Sequence, residues 1–256
     1  MMLKTAALAA ALLAPALLGP RPAAAETASD VVIGVNHNMH AMLIAPDGPG
    51  PFPAVLVLHT SGGFQPGDVR YAQALVAQGY VCLIPKFMEA YRITSQGRAL
   101  TFTTYGDQVY TDFVSAIDML RRHDKVQGGK VGAVGFSNGG YFSVWLAMTA
   151  KVDAAVSYYG AYSAAGADRG LSRFQSVARP GGAPLLIFHG GNDSTVPIQT
   201  AEHLSAILAG VHAPFEFQRY GSAGHSFERN GDDPAAAAEA WQRTLAFFGR
   251  YLKGAN

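Results

Sequence analysis

Short apolar runs alternate with segments of helical spacing along most of this chain after residue 50. The run at 54–59 (AVLVLH) is apolar up to its last residue, as expected for a strand that is buried on both faces of a sheet. A helical pattern at 68–78 follows and stops at Gly79, and a second apolar run occupies 80–84. Strands that alternate with helices in this way favour one mostly parallel sheet with helices on both faces. We therefore predict an α/β fold.

The rest of the chain continues this alternation, with no linker, composition shift or internal repeat that would divide it. Two short β-type runs at 31–36 and 40–45 precede it, and we expect them to form an antiparallel pair at a sheet edge. Residues 86–105 are poorly periodic and form a long connection, of the kind that often lines a site. We predict one domain over 26–256. Further strands are expected at 130–135, 154–159, 184–188 and 215–220, and further helices at 106–122, 139–149, 198–208 and 234–252.

Composition and charge exclude several classes of function. Apolar residues make up 49% of the chain and charged residues 14%, against roughly 25% charged in an average globular protein. Such a chain has ample material for a core and is not an intrinsically disordered protein. The formal net charge of +1 supplies no basic field for a phosphate backbone, so we expect no nucleic-acid partner.

The N-terminal segment 1–25 has the pattern of a secretory signal peptide. Lys4 gives a positive start, residues 5–19 are small and apolar, and Ala23-Ala24-Ala25 offers a cleavage site. The apolar run is shorter than the roughly 20 residues that a membrane-spanning helix needs, which disfavours an uncleaved anchor. We predict removal of 1–25 and a periplasmic or secreted mature chain with no membrane span. The oligomeric state stays open.

Neither the single cysteine nor the histidine spacing predicts a metal or disulfide site. Cys82 lies in an apolar run and is expected to be a small core residue, because one cysteine cannot form an internal disulfide. His37 and His40 have a spacing that can bind metal on a helix, but on a strand their side chains point to opposite faces. The sequence also lacks a G-x-G-x-x-G or P-loop pattern. We expect no metal and no cofactor.

The segment Gly135-Phe-Ser137-Asn-Gly139 lies between a predicted strand and a predicted helix. A G-x-S-x-G pattern in that context is typical of a tight turn that exposes a nucleophilic serine at the carboxyl edge of a sheet. The following helix N-terminus adds a partial positive potential for an oxyanion. The alternative is a glycine-rich turn in which Ser137 only caps the helix.

A serine hydroxyl needs a histidine base, and in a chain of this type the base follows the serine. Four histidines follow Ser137. His225 lies in a loop of small residues directly after the last predicted strand, where a histidine at the sheet edge is expected. His189 ends a strand, His203 lies within a helix, and His212 lies in the turn after it. His225 is therefore the predicted base.

The orienting acid should lie between the serine and the histidine in the chain. Asp193 follows the predicted strand 184–188 in the segment HGGNDSTVP, again at the carboxyl edge of the sheet. Its alternative role is to cap the next helix. The other acids in the interval are placed less favourably, and Asp168 in an irregular loop is a weak competitor; the set is Asp153, Asp168, Glu202 and Glu216.

The oxyanion donors are expected from two backbone N–H groups. One belongs to Asn138, directly after the serine, and the other to the loop that follows the strand at 54–59. That loop contains Ser61-Gly62-Gly63, which is glycine-rich enough to bring backbone close to a substrate oxygen. We predict the N–H groups of Ser61 and Asn138, the alternative for the glycine pair being an ordinary turn.

These segments resemble the dienelactone hydrolase family of α/β-hydrolases over roughly residues 30–252. The resemblance lies in four motifs at 58–63 (LHTSGG), 135–139 (GFSNG), 189–197 (HGGNDSTVP) and 224–229 (GHSFER), of which the last two together are quite specific. It implies the α/β-hydrolase fold as a single domain.

By position, the resemblance makes Ser137 the nucleophile, Asp193 the acid and His225 the base. The chain departs from the best-known members, which have cysteine as the nucleophile and a glutamate in the first loop, where Thr60 stands here. Both departures favour a serine esterase. Arg229, four residues after the histidine, matches an arginine that binds a substrate carboxylate in the family, and Arg92 is a loosely aligned second candidate. A solvated surface arginine is the alternative for each.

The predicted function is therefore cleavage of a small-molecule carboxylic ester through an acyl-enzyme. Two alternatives remain open on the sequence: a peptidase or polyester-type hydrolase with the same triad, and a non-catalytic binding protein on the same scaffold. A complete set of serine, acid and histidine disfavours the binding protein, which would need none of the three.

Overall fold

The structure, a computed structural model, describes residues 26–34, 36–163 and 169–254. Eight strands form its sheet: β1 (Glu26–Ile33), β2 (Met39–Pro46), β3 (Phe52–Leu58), β4 (Val81–Pro85), β5 (Val126–Phe136), β6 (Ala154–Tyr158), β7 (Leu185–Gly190) and β8 (Phe215–Tyr220). Their order in the sheet is β1-β2-β4-β3-β5-β6-β7-β8. β1 and β2 run antiparallel to their neighbours at one edge, and the remaining pairs are parallel. The predicted mostly parallel sheet with an antiparallel edge pair is confirmed.

Helices fill most connections between the parallel strands. They are α1 (Pro66–Ala77), α2 (Phe87–Ala90), α3 (Leu100–Thr103), α4 (Gly106–Arg121), α5 (Asn138–Met148), α6 (Arg169–Val177), α7 (Gln199–Gly210), α8 (Phe227–Asn230) and α9 (Pro234–Phe248), with a π-helical turn at Gly249–Lys253. No helix among the described residues is long and apolar enough to cross a membrane.

Two hydrophobic cores lie on opposite faces of the sheet. In β3, Ala54, Leu56 and Leu58 join the core beneath α4, α5 and α7, whereas Val55 and Val57 join the core beneath α1 and α9. All five are fully buried. This explains why the strand is apolar at every position, since burying each valine or leucine contributes about 1.5–3 kcal/mol. Helices therefore cover both faces, as predicted.

Most predicted elements are observed, with differences at their ends. α9 stops at Phe248, and the rest of the predicted helix is the π-helical turn. α2, α3, α6 and α8 lie in segments for which no helix was predicted, and short helices give weak periodic signals. Cys82 is buried in β4, as expected. The predicted signal peptide 1–25 and Asp168 lie outside the described residues.

Candidate active site

Ser137 lies in the sharp turn between β5 and α5. Its φ of 52° and ψ of −109° fall outside the regions that residues with a side chain ordinarily occupy. Such strain costs about 1–3 kcal/mol and is common at functional sites. A Cβ on Gly135 would collide with the carbonyl of Gly139, and one on Gly139 would collide with the carbonyl of Leu58. Only glycine at these two positions lets the strand and the helix approach closely enough to make the turn.

Three side chains are joined by hydrogen bonds at the carboxyl edge of the sheet. The Nε2 atom of His225 lies 3.2 Å from Oγ of Ser137, and its Nδ1 atom lies 2.7 Å from Oδ2 of Asp193. Ser137 follows β5, Asp193 follows β7 and His225 follows β8, so parallel strands bring residues far apart in the chain to one edge. With Nδ1–H donating to the carboxylate, Nε2 is left to accept the serine proton.

The carboxylate of Asp193 is fully buried and held from several sides. Its Oδ1 atom accepts the N–H groups of Thr195 at 2.9 Å and Val196 at 2.8 Å. Nε2 of the buried His189 lies 3.4 Å from Oδ2, beside its own hydrogen bond to the carbonyl of Val196. Burial alone would raise the pKa of the Asp193 carboxyl, but the hydrogen bonds from His189, His225 and Val196 hold that pKa well below its usual range. The acid therefore stays ionised.

The imidazole of His225 is supported from behind by an aromatic ring. The ring of Tyr159 lies 4.6 Å from it, centroid to centroid, and is fully buried. The hydroxyl of Tyr159 donates to the carboxylate of Glu228 at 2.5 Å. Only 18% of the His225 side chain is exposed. Packing and hydrogen bonds thus restrict the imidazole to the orientation that faces Ser137.

Ser61 and Asn138, the predicted oxyanion donors, line the same cavity as Ser137. Asn138 is the first residue of α5, so its N–H points out of a helix N-terminus, where the helix dipole favours negative charge. Within the described residues, neither backbone N–H donates a hydrogen bond to the protein. Both are therefore available to a bound oxygen.

The cavity at Ser137 has a volume of about 660 Å³. This lies within the roughly 300–1,000 Å³ of pockets that bind small molecules. Its walls come from six places: the loop after β3, the 86–105 connection, the serine turn, and the loops after β6, β7 and β8. The lining residues are Thr60, Ser61, Gln96, Arg98, Ala99, Phe102, Ser137, Asn138, Ala161, Ser163, Thr195, Val196, Pro197, His225 and Ser226.

The structure does not place the two predicted substrate arginines in this cavity. The guanidinium of Arg229 pairs with Asp68 at 2.8 Å and with Glu228 at 2.6 Å, and it lines an adjacent cavity of about 680 Å³. Arg92 lines another pocket, with His37 and Tyr105. Both assignments stay predictions, and these positions disfavour them: the guanidinium of Arg229 is already neutralised by two carboxylates, and Arg92 lies in another pocket.

Arg98 lines the cavity and was missed by the sequence analysis. It is the one lysine or arginine among the described lining residues, and its guanidinium donates to the carbonyl of Ser95 at 3.2 Å. The poor periodicity of 86–105 indicated a connection of the kind that lines a site. Nothing in the sequence pointed to Arg98 within that segment. Among the described residues no group of three His, Cys, Asp or Glu side chains is placed to hold a metal ion.

Comparison with known proteins identifies the family. The model of the dienelactone hydrolase family matches residues 39–252. The chain belongs to this family. It is 28% identical over 205 residues to the carboxymethylenebutenolidase of Rhodococcus opacus, covering 77% of this chain and 81% of the relative. The corresponding enzyme of Pseudomonas putida is 27% identical over 228 residues, covering 82% of this chain and 91% of the relative.

Solved structures agree on the fold. A dienelactone hydrolase-like promiscuous phosphotriesterase from metagenomic libraries superposes with a TM-score of 0.72 at 21% identity, covering 89% of this chain and 99% of that one. At that identity the likeness shows the fold alone, which is the single-domain α/β-hydrolase fold predicted from the sequence. Family membership and fold together make the chain a hydrolase of the dienelactone hydrolase type.

Proposed function

We propose that this chain hydrolyses a small-molecule carboxylic ester or lactone by acyl transfer to Ser137. The observation that carries the proposal is the unbroken hydrogen-bond chain from Ser137 through His225 to Asp193, at a strained turn that opens into a cavity. A purely structural role would not require these two hydrogen bonds to coincide with a strained turn and a cavity. Family membership supports the hydrolase class.

In the first step His225 accepts the proton of Ser137 while Oγ attacks the ester carbonyl. The ionised Asp193 stabilises the imidazolium that forms and keeps Nε2 directed at the serine. The N–H groups of Ser61 and Asn138 stabilise the oxyanion of the tetrahedral intermediate, and one such donor is worth roughly 3–4 kcal/mol. His225 then gives its proton to the leaving alkoxide oxygen, and the acyl group stays on Ser137.

In the second step water enters the place of the leaving group. His225 takes a proton from that water, which attacks the acyl carbonyl, and returns it to Oγ of Ser137 as the acid leaves. For a lactone the released alcohol and acid are two ends of one product. This chemistry requires no metal or organic cofactor.

Arg98 gives the cavity a preference for substrates with negative charge near the ester. A guanidinium in a pocket that also contains apolar surface from Phe102, Val196 and Pro197 suits an ester that bears a carboxylate on a short carbon chain. We therefore favour Arg98 over Arg229 and Arg92 for anion recognition, because Arg98 lines the cavity at Ser137 and the other two do not.

The decisive experiment is to label the purified mature protein with a fluorophosphonate probe and to assay it on short p-nitrophenyl esters, beside Ser137→Ala. We expect label on the Ser137 peptide and turnover that the variant loses by at least about 10³-fold. Folded protein that neither reacts nor turns over ester would reject the proposal and favour a binding protein. Faster cleavage of a peptide anilide or a polyester than of small esters would instead assign one of the alternative substrates to the same triad.

We also propose that residues 1–25 direct export and are then removed. The positive start, the short apolar run and the A-x-A pattern support this. Expression of the full chain in a bacterial host, with N-terminal sequencing of the periplasmic fraction, should yield a mature N-terminus at Glu26. Retention of Met1 in the cytoplasmic fraction would reject it.

A further inference from the structure

A carboxylate from outside the proposed triad contacts the loop that carries one oxyanion donor. The loop consists of residues 60–64 and follows β3. Oε1 of Glu89, in α2, accepts the N–H of Phe64 at 2.8 Å. Within the loop, the N–H of Gly63 donates to the carbonyl of Thr60 at 3.2 Å, and that of Gly62 donates to its hydroxyl at 3.1 Å. These last two bonds shape the loop, whereas the bond to Glu89 ties it to another part of the fold.

The glycine at position 63 is what lets the carboxylate come so close. Gly63 has a φ of +77°, and a Cβ there would lie 2.8 Å from Oε1 of Glu89. A side chain at this position would therefore push the carboxylate away and lose the hydrogen bond to Phe64. The absence of a side chain at Gly63 therefore leaves room for the Glu89 carboxylate.

The same carboxylate lies beside His59, the residue that precedes the loop. His59 is fully buried directly after β3, and its Nδ1–H donates to the carbonyl of Thr60 at 2.8 Å. Its Nε2 atom, which has no hydrogen-bond partner among the described residues, lies 3.8 Å from Oε2 of Glu89. Burial lowers the pKa of His59, so the ring is neutral with its proton on Nδ1. Its Nε2 is then an acceptor that forms no hydrogen bond with Glu89, and the carboxylate only borders the ring.

Both Glu89 and the ring that stacks on His59 belong to one short helix, α2. Phe87 stacks face to face on the His59 ring, with centroids 4.0 Å apart and an interplanar angle of 4°. Phe87 and Met88 are buried, so the helix is anchored in the core while Glu89, half exposed, faces the loop. Helix α2 thus packs against His59 through Phe87, and it accepts the N–H of Phe64 through Glu89.

We propose that Glu89 is a positioning residue for the oxyanion hole: by holding Phe64 and bordering His59, it sets the place of the Ser61 N–H relative to Ser137. The inference rests on the proposed function, because it gives Ser61 a role only if Ser137 forms an acyl-enzyme. Glu89 takes no part in proton transfer. Glu89 therefore affects the stability of the transition state, in which the oxyanion forms, far more than it affects binding of the ground-state ester.

The test compares Glu89→Ala with Glu89→Gln in the mature protein. The amide oxygen of glutamine can still accept the Phe64 N–H, so Gln should keep kcat within about threefold of the parent. Alanine removes the contact and should lower kcat about 10- to 100-fold with KM changed less than about threefold, a smaller loss than the 10²–10³-fold of deleting an oxyanion donor. The rate of fluorophosphonate labelling of Ser137 should fall in parallel.

Glu239→Ala is the matched control, since its side chain is exposed to the same extent (48% against 49%) and lies on α9. It should leave kcat and the labelling rate unchanged. Thermal unfolding followed by circular dichroism identifies variants that fail to fold. For a folded Glu89→Ala, a kcat like the parent's, a change in KM alone, or an equal loss in the Ala and Gln variants would overturn the positioning role. If the parent itself shows no labelling and no turnover, the proposed function fails and the result does not concern Glu89.

Discussion

The guanidinium of Arg229 lies 2.8 Å from the carboxylate of Asp68, although 161 residues separate them in the chain. Asp68 is fully buried in the first turn of α1, and its other oxygen accepts the N–H of Gln65 at 2.8 Å. The guanidinium also lies over the ring of Phe136 at 4.5 Å. The Arg229–Asp68 pair therefore connects α1 to the segment that carries His225. Because Arg229 is engaged in this pair, it is less available to the substrate carboxylate for which the sequence predicted it.

We expect Arg229→Ala to lower stability far more than it alters substrate choice. Removing one partner of a buried pair leaves the Asp68 carboxylate uncompensated, which costs about 3–5 kcal/mol in the free energy of unfolding. Urea unfolding measures this loss. Arg243→Ala, whose pair with Glu239 is about half exposed, should cost less than about 1 kcal/mol. A stable Arg229→Ala protein with a selectively raised KM for an anionic ester would restore the original assignment.

Arg98→Ala should affect anionic substrates selectively. Because Arg98 lines the cavity at Ser137, its removal should raise KM about tenfold or more for an ester that bears a carboxylate, and less than about twofold for its neutral methyl ester. Steady-state kinetics on the two matched esters give the ratio. Arg92→Ala, in another pocket, serves as the control and should change neither value. An equal effect of Arg98→Ala on both esters would contradict anion recognition.

The sequence predicted the parts of the site that depend on chain order and on local turns. Ser137, Asp193 and His225 each follow a strand of the parallel sheet, and carboxyl ends of parallel strands meet at one edge, so their proximity follows from the topology. Contacts between distant segments carry no such signal. Nothing near Arg229 in the chain indicates Asp68, and nothing near Ser61 indicates Glu89. His189 was assigned only as a strand end, because its distance from Asp193 depends on how the loop after β7 folds back.

Gly135→Ala should prevent the serine turn from forming. The added methyl group would collide with the carbonyl of Gly139, and both are backbone positions that cannot move without displacing β5 or α5. We expect a loss of about 3 kcal/mol or more in the free energy of unfolding, measured by thermal circular dichroism, together with loss of fluorophosphonate labelling. Gly210→Ala, where a Cβ meets nothing within 4 Å, should change stability by less than about 1 kcal/mol. A Gly135→Ala protein of parental stability and labelling would show that the turn does not need glycine there.

Asp193 should contribute a pH-dependent part of the stability. Its pKa is depressed in the folded protein, because the hydrogen bonds from His189, His225 and the Val196 N–H outweigh the effect of burial, which alone would raise it. A depressed pKa means that the unfolded chain binds the proton more tightly, so the contribution is fully present above the unfolded pKa of about 3.9 and is lost as pH falls toward the folded pKa. Urea unfolding of the parent and of Asp193→Asn from pH 6 down to pH 3 should show a difference that is constant above about pH 5 and shrinks below pH 4. Asp233→Asn, at the partly exposed cap of α9 and with a lowered pKa, controls for an ordinary surface carboxyl and should show a smaller difference at pH 6. A parent–variant difference for Asp193 that stays constant down to pH 3 would contradict a carboxylate stabilised in its ionised form.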